Sequence, residues 1–246
     1  MAVVQRIRCR VEKITDHGDH VYSVDLKPER LAPRFRPGQF LHLALDEYDP
    51  SSFWPESRVF SIASSPLERD RISLAYSVRG RFTPRMEKEL GEGRNLWIKM
   101  PYGEFFVENT TPAVLLAGGT GITAFTAFLQ GLSPDFPHTG YLGYGARTRE
   151  LLILLHQLGE MQKRIPQLRL FFFVERLSPK SGVASPPDGY PEMAGPLSLE
   201  SLWGEIPDPW AATYYLSGPP AMIKNLGEKL REKRVRPESV RIDAWE

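Results

Sequence analysis

Short runs of apolar and β-branched residues alternate with proline- and glycine-containing turns through the first half of the chain. Such runs are typical of antiparallel strands. They predict six strands, over residues 5–14, 21–26, 39–45, 58–63, 71–78 and 95–100. One helix is predicted over residues 84–90, with Thr83 as the N-cap and Pro84 in the first helical position. Six short strands and one helix favour a closed or nearly closed antiparallel barrel.

Beyond residue 110 the pattern changes, because short apolar runs now alternate with helical stretches. Strands are predicted over residues 113–117, 140–145, 168–175, 213–217 and 240–245, and helices over 123–130, 149–164 and 220–233. Strands that are separated by helices form a parallel sheet with crossover connections. Residues 178–195, rich in Pro, Gly and Ser, are predicted to lack regular structure. The sequence therefore predicts two domains, an antiparallel β-barrel over residues 1–109 and a doubly wound α/β domain over residues 110–246.

The composition of the chain makes several classes of function a poor fit. The chain has 246 residues, of which 41% are hydrophobic, and 31 basic residues against 30 acidic ones leave a net charge of +1. This balance makes nucleic acid or an anionic membrane a poor partner. No apolar run approaches the roughly 20 residues of a membrane span, and arginines interrupt the N-terminal apolar stretch, so we expect a cytoplasmic protein. Cys9 is the single cysteine and the histidines lack ligand spacing, so no metal centre is expected.

A glycine-rich segment between a predicted strand and a predicted helix carries the strongest signal. Gly119-x-Gly121-x-x-Ala124 fits the dinucleotide-binding fingerprint, in which glycines let the backbone approach a pyrophosphate at a helix N-terminus. No lysine follows, which excludes a Walker-type phosphate loop. The alternative is an ordinary glycine-rich turn. The acidic residue of a typical Rossmann dehydrogenase is missing, because the end of the second strand reads Tyr144-Gly145-Ala146-Arg147.

Three further segments combine residue types that suit nucleotide binding. Arg58 and Phe60 share one face of a predicted strand, which suits a flavin nucleotide, although an edge arginine beside a core phenylalanine explains them as well. Gly80 and Thr83 precede the helix of the first half and suit an anion, or Thr83 is a plain N-cap. The segment 217–222 ends a strand at the carboxyl edge of the predicted parallel sheet, as a ligand-binding loop or a structural turn.

The order of six motifs resembles the ferredoxin–NADP(+) reductase superfamily. These motifs are residues 35–40, 58–64, 80–83, 101–105, 117–124 and 217–222, so the resemblance covers nearly the whole chain. It implies an FAD-binding barrel followed by an NAD(P)-binding domain, without an iron–sulfur domain of its own. FMN is the second choice of flavin. It also implies an NAD(P)H-dependent flavoprotein reductase that passes a hydride to FAD and single electrons to a separate ferredoxin, flavodoxin or oxygenase component.

Two alternatives stay open. The chain could be a nucleotide-sensing or electron-channelling flavoprotein subunit of a larger complex, or a reductase of small acceptors such as ferric chelates or free flavin.

By the resemblance, Arg79, Arg81 and Arg85 near the flavin are candidates for docking an acidic electron carrier.

The resemblance also implies site residues. Arg58 would pair the flavin phosphate, Phe60 would lie against the isoalloxazine, and Ser61 would lie near N5. Phe60 replaces the usual tyrosine, and Ser217 replaces the usual cysteine, which predicts a slower hydride transfer. Ser61, Thr120 and Ser217 are expected to be the catalytic residues. The implied cofactor-binding residues are Arg58, Val59, Phe60, Ser61, Ser64, Arg79, Gly80, Thr83, Gly118, Gly119, Thr120, Gly121, Arg147, Glu175, Arg176, Ser217, Gly218, Pro219 and Trp245.

The preferred coenzyme and the role of the last strand are less constrained. Glu175 repels a 2′-phosphate and favours NADH, whereas Arg147 and Arg176 could pair that phosphate and favour NADPH; we expect NADH. Asp243 and Trp245 match an acidic residue and an aromatic residue that lie beside the flavin in some relatives. A tryptophan that fills a core is the alternative for Trp245.

Overall fold

The structure, a computed structural model, describes residues 3–108, 110–135, 137–176 and 192–243. The chain forms two compact units. The first consists of Met1–Phe106 with Thr123–Gly131, and the second consists of Val107–Ile122 with Leu132–Glu246. The predicted domain boundary after residue 109 stays a prediction.

The first unit is built on a six-stranded antiparallel sheet. Its strands run in the order β4-β3-β6-β1-β2-β5. After β4, the amide of Ala63 donates to the carbonyl of Ser73 at 2.8 Å, so the two edges of the sheet meet. The nearly closed barrel and all six predicted strands are thereby confirmed. The elements are β1 (Gln5–Asp16), β2 (Val21–Pro28), β3 (Phe40–Ala44), β4 (Ser57–Ser61), β5 (Ile72–Ser77), α1 (Thr83–Glu89), β6 (Asn95–Tyr102) and α2 (Thr123–Gly131).

Alternation along β1 explains how the barrel acquires its core. Ile7, Cys9 and Val11 are buried, while Arg6 and Arg10 between and beside them are exposed. A period of two places these two sets on opposite faces of the sheet. Burial raises the pKa of the Cys9 thiol, so this cysteine behaves as a small core residue rather than as a reactive group.

An acidic residue of α1 connects that helix to the first two strands. Glu87 accepts hydrogen bonds from the Tyr22 hydroxyl at 2.9 Å and contacts Nδ1 of His20 at 2.7 Å. The hydrogen bond to Glu87, and then its charge, raises the pKa of His20 above its usual value, and the pKa of Glu87 is lowered, chiefly by the hydrogen bond to His20.

The His20–Glu87 pair predicts a pH-dependent contribution to stability. A raised histidine pKa stabilises the fold below the unfolded-state pKa and loses its effect as the pH rises through the folded-state pKa. The lowered pKa of Glu87 contributes stability above the unfolded-state pKa of glutamate, and this contribution is lost as the pH falls through the folded-state pKa. We therefore expect His20→Gln to lower the free energy of unfolding most near about pH 5.5 and least above about pH 8. Urea unfolding across this pH range measures the difference. In a Glu87→Gln background the pH-dependent effect should shrink to the smaller contribution of Asp16 and Asp19, and an undiminished effect would assign it to a group other than Glu87.

The second unit is a six-stranded parallel sheet with helices between its strands. The strand order is β10-β9-β8-β7-β11-β12, which confirms the predicted α/β architecture. Its core combines apolar side chains from the sheet and from the helices, such as Leu116, Tyr214 and Leu226. The elements are β7 (Ala113–Gly118), β8 (Gly140–Ala146), α3 (Leu155–Arg164), β9 (Leu168–Val174), β10 (Glu192–Ala194), α4 (Leu199–Trp203), β11 (Thr213–Ser217), α5 (Pro220–Glu232) and β12 (Val240–Ile242).

Three predicted elements of this unit differ from the structure. The helix predicted over 149–164 is a 3₁₀ turn followed by α3, because Leu154 has a left-handed φ of 66°. A residue in the left-handed conformation cannot continue a right-handed helix. The stretch 178–195 contains β10, while residues 177–191 lie outside the described ranges. The last strand ends at Ile242. No helix in the described part of the chain is long and apolar enough to cross a membrane.

Candidate nucleotide-binding site

The strand order of the second unit creates a switch point between β7 and β11. The chain leaves β7 toward β8 on one side, whereas β11 and β12 lie on the other side. Ser217 at the end of β11 is in register with Ala117 near the end of β7, so the loops that follow both strands leave the sheet side by side. Ligands of open α/β sheets bind at this position, outside the carboxyl ends of the strands.

The two loops touch through backbone atoms. A Cβ built on Gly121 would lie 2.4 Å from the carbonyl oxygen of Ser217 and 2.7 Å from the Cα of Gly218. A Cβ built on Gly218, whose φ is +145°, would lie 2.9 Å from both the nitrogen and the oxygen of Gly118. Only glycine permits this approach, because backbone atoms cannot rotate away from an added side chain. The structure thus brings the predicted glycine-rich loop and the predicted turn 217–219 together.

The first glycine of the loop packs against the start of α5. A Cβ on Gly118 would lie 2.6 Å from Sδ of Met222 and 2.8 Å from Cδ of Pro219. Gly119 has a φ of +53° and begins a 3₁₀ turn, Gly119–Ile122, which also carries the half-exposed Thr120. This turn separates the loop from α2. Gly119, whose Cβ would meet nothing within 4 Å, leaves open space beside the loop. A loop of this kind suits a dinucleotide pyrophosphate.

Ser217 is buried and its hydroxyl already has a partner. Its Oγ donates to Oδ2 of Asp243 at 3.0 Å, and the amide of Asp243 donates to the carbonyl of Leu216 at 2.9 Å. Both side chains are buried. The family resemblance predicts Asp243 beside the flavin and does not pair it with Ser217. No local signal could have found this contact, because it depends on β12 lying next to β11.

The three residues that bear on coenzyme preference lie together at the ends of β8 and β9. The amide of Glu175 donates to the carbonyl of Ala146 at 3.1 Å, and the amide of Arg176 donates to the carbonyl of Arg147 at 2.9 Å. Arg147, Glu175 and Arg176 are all exposed. This edge of the sheet therefore carries one acidic residue, which could accept from ribose hydroxyls, and two arginines, which could donate to a phosphate.

The predicted flavin-binding residues on β4 and just after it are partly exposed to solvent and partly buried in the barrel core. Arg58 is exposed and has no ion pair among the described residues, while Val59 and Ser61 are half-buried. Phe60 is buried in the barrel core, and its ring centroid lies 6.3 Å from that of Tyr76. Ser64 is buried and its Oγ accepts from the amide of Ser73 at 3.1 Å. The Arg58 guanidinium is thus available to an anion, whereas Phe60 and Ser64 have structural contacts within the barrel; their roles in flavin binding stay predictions.

The turn before α1 differs from its predicted form. Phe82 is the N-cap residue, and Thr83 lies within the helix. The Thr83 hydroxyl accepts from the amide of Arg79 at 2.5 Å and donates to its carbonyl at 2.7 Å. It therefore closes the turn at Gly80, whose φ is +72°, instead of capping the helix. A role for this turn in binding the flavin pyrophosphate stays a prediction.

The cations predicted to dock an electron carrier are not equally available. Arg85 contacts Asp46 at 2.8 Å, Glu89 at 2.9 Å and Glu56 at 3.5 Å. Hydrogen bonds to Asp46 and then to Glu89 raise the pKa of Arg85 further. Three carboxylates offset the charge of this guanidinium, which makes Arg85 a weaker docking candidate than Arg79 or Arg81; docking by any of the three stays a prediction. Arg79 and Arg81 are exposed.

Trp245 lies outside the described residues. Within the described ranges, no group of three or more His, Cys, Asp or Glu side chains could hold a metal ion.

Comparison with known proteins agrees with this fold. Residues 115–227 match the family of the oxidoreductase NAD-binding domain. The chain is 28% identical over 232 residues to a flavohemoprotein of Rhizobium meliloti, a match that covers 89% of this chain and 55% of that protein. It is 27% identical over 231 residues to the reductase component of propane 2-monooxygenase from Rhodococcus jostii, with coverages of 89% and 58%.

A solved structure extends the similarity over the whole chain. The Amycolatopsis cytochrome P450 reductase GcoB superposes with a TM-score of 0.81 at 20% identity and covers 100% of this chain and 71% of that one. The chain spans a little more than half the length of the two curated relatives. The chain therefore shares the fold of the Amycolatopsis reductase, and residues 115–227 match the oxidoreductase NAD-binding domain family.

Proposed function

We propose that this protein is an NAD(P)H-dependent flavoprotein reductase, which passes a hydride from NAD(P)H to bound FAD and single electrons to a separate acceptor protein. The observation that carries the proposal is the backbone contact between Gly121 and Ser217–Gly218 at the switch point of the parallel sheet. Bound FAD supplies the conversion of two-electron into one-electron chemistry.

The residues of the second unit act by positioning the nicotinamide nucleotide. The Gly118–Gly121 loop offers backbone atoms to the pyrophosphate. Asp243 orients the Ser217 hydroxyl, which therefore has no proton to exchange with substrate in this arrangement. Holding the reactants in one geometry accounts for most of the rate in such a reaction, and no acid–base step is required.

The residues of the first unit bind the flavin in this proposal. Arg58 pairs a phosphate with its exposed guanidinium, and Ser61 and Arg79 supply further polar contacts. Arg58 is the best supported of these residues, because no described carboxylate neutralises it.

The acceptor is a separate protein in this proposal: a ferredoxin, a flavodoxin or an oxygenase component. The name of the Rhodococcus relative, the reductase component of a monooxygenase, supports the last of these. Cys9 is the single cysteine and is buried, so the chain has no cysteine set for an iron–sulfur cluster. The cytoplasmic location stays a prediction.

The test is the visible spectrum of the FAD-loaded protein during anaerobic titration with NADH and then NADPH. We expect near-stoichiometric bleaching of the flavin band by at least one nucleotide. A protein that neither binds added FAD nor responds to either nucleotide would contradict the proposal. Steady reduction of cytochrome c by the isolated protein would favour an autonomous reductase, whereas one rapid reduction without turnover would favour a dependent subunit.

Coenzyme preference gives a separate prediction. Glu175→Ser should raise kcat/KM for NADPH relative to NADH by about tenfold, because the repulsion between a carboxylate and the 2′-phosphate is removed while Arg147 and Arg176 remain. Initial rates with both nucleotides measure the ratio. Glu228→Ser, an equal charge change at an exposed position of α5, is the matched control and should leave the ratio unchanged. An unchanged ratio in Glu175→Ser would remove this residue from the coenzyme site.

A further inference from the structure

The outer face of the barrel carries a groove that none of the assigned cofactor residues lines. It has a volume of about 880 Å³ and is formed mainly by β1 and β6. Cross-strand register places Arg6 directly opposite Lys99, and Lys99 opposite His42 of β3. We call this surface the basic–aromatic face and define it by Arg6, Lys99, Tyr48, Trp54 and Tyr102.

The two cations at its centre lie over aromatic rings rather than beside acids. The Arg6 guanidinium carbon lies 5.3 Å from the centroid of Tyr48, and the Lys99 ammonium lies 5.9 Å from that of Trp54 and 5.5 Å from that of Tyr102. Neither cation has an ion pair among the described residues. Like charges that are directly opposite each other destabilise a sheet, so this pair weakens the isolated barrel.

The neighbouring carboxylates are already engaged. Glu29 contacts Arg8 at 3.5 Å, and Glu47 contacts Arg8 at 3.1 Å and accepts from the indole of Trp97 at 3.0 Å. His42 adds no charge at neutral pH, because burial and then Lys99 lower its pKa. Arg30 adds a further cation at the edge, and its guanidinium donates to the carbonyl of Arg6 at 3.1 Å. The face is therefore locally positive, although the whole chain has a net charge of only +1.

An apolar rim adjoins these charges. Phe53, next to Trp54 in the chain, is 97% exposed, and Val4 at the edge of the groove is 38% exposed. A partner protein that covered these side chains would remove their apolar surface from water. Tyrosine, tryptophan and arginine are also the residue types enriched at the energetic centres of protein interfaces.

We propose that the basic–aromatic face docks an acidic segment of a partner protein that also presents aromatic or apolar side chains. Complementary charge would relieve the repulsion between Arg6 and Lys99, and the partner's apolar side chains would cover Phe53. A small planar anion fits less well, because Arg6 and Lys99 already cover the rings that would stack on it. The proposal stands independently of the reductase activity, since no residue of the face is assigned to FAD or NAD(P)H.

The test measures binding of two fluorescent acidic polypeptides to the full chain at low ionic strength. One is a random copolymer of glutamate and tyrosine, and the other is polyglutamate. We expect the copolymer to bind more tightly, and Arg6→Gln/Lys99→Gln to weaken it by about tenfold. The control Lys224→Gln/Arg231→Gln removes the same charge from exposed positions of α5 and should leave binding unchanged. Arg6→Lys should retain binding.

Further variants separate the contributions to docking. Phe53→Ser should weaken copolymer binding and leave polyglutamate binding unchanged. Circular dichroism and thermal unfolding establish that each variant is folded. No binding of the copolymer by the wild-type protein, or equal losses in the two double variants, would overturn the proposal. Binding of pyrophosphate or AMP that depends on Arg6 and Lys99, without copolymer binding, would replace it by a small-anion site. None of these outcomes depends on flavin reduction.

Discussion

Replacing Gly121 by alanine is expected to reduce the rate of flavin reduction by NAD(P)H by about a hundredfold. The added Cβ would lie 2.4 Å from the carbonyl oxygen and 2.5 Å from the carbonyl carbon of Ser217. Because these are backbone atoms, the loops after β7 and β11 must move apart. Such overpacking costs about 1–3 kcal/mol of folding free energy. Stopped-flow flavin reduction and urea unfolding measure the two effects.

The matched control is another glycine whose environment is open. A Cβ at Gly227, in the middle of α5, would meet nothing within 4 Å. Gly227→Ala should therefore leave flavin reduction unchanged and stabilise the protein by up to about 1 kcal/mol, because alanine is the better helix former. A Gly121→Ala variant that keeps both its stability and its reduction rate would show that the contact between the loops is not required.

Substitutions of Ser217 should separate stability from rate. Ser217→Ala leaves the buried Asp243 carboxylate without this donor and should cost about 1–3 kcal/mol of folding free energy. Ser217→Cys restores only a weak donor, so its stability should lie between those of Ser and Ala. Its polarizable thiol should nevertheless accelerate hydride transfer. The expected order of stability is Ser, Cys, Ala, whereas the expected order of reduction rate is Cys, Ser, Ala.

Urea unfolding and anaerobic stopped-flow reduction by NADH measure these two orders. Asp243→Asn is the control, because an amide oxygen can still accept from the Ser217 hydroxyl while the charge is removed. If Ser217→Cys reduces flavin at the wild-type rate, the departure from the usual cysteine has no kinetic consequence. If Ser217→Ala has wild-type stability, the hydrogen bond to Asp243 contributes nothing to the fold.

Element types could be predicted wherever local pattern and packing agree. The alternation of Ile7, Cys9 and Val11 with charged residues identified β1, and the apolar run at 213–217 identified β11 with the observed bounds. The short elements could not be predicted, because contacts with neighbouring elements stabilise them. β10 has three residues and exists through its pairing with β9. α4 has five residues, and it depends on the Ser198 cap and on the burial of Leu199 and Leu202.

The candidate site likewise has loops that could be predicted from the sequence and contacts that could not. The glycine-rich loop 118–121 and the turn 217–219 could be identified separately, because the residues of each are adjacent in the chain. Their contact could not, because it requires β11, about a hundred residues further along, to pair with β7. The hydrogen bond from Ser217 to Asp243 requires the further pairing of β12 with β11.

Charges on the barrel show the largest difference between sequence and tertiary structure. By the family resemblance, Arg85 is a candidate for docking an acidic carrier, and folding surrounds it with Asp46, Glu56 and Glu89. Arg6 and Lys99 had no sequence signal, and cross-strand register places them opposite each other over aromatic rings. The sequence by itself determined the two kinds of sheet, the order of the motifs and the glycines that a nucleotide requires, because these depend on local periodicity and backbone freedom. Tertiary structure alone decided which loops touch and which charges are neutralised, because both depend on strands that are distant in the chain.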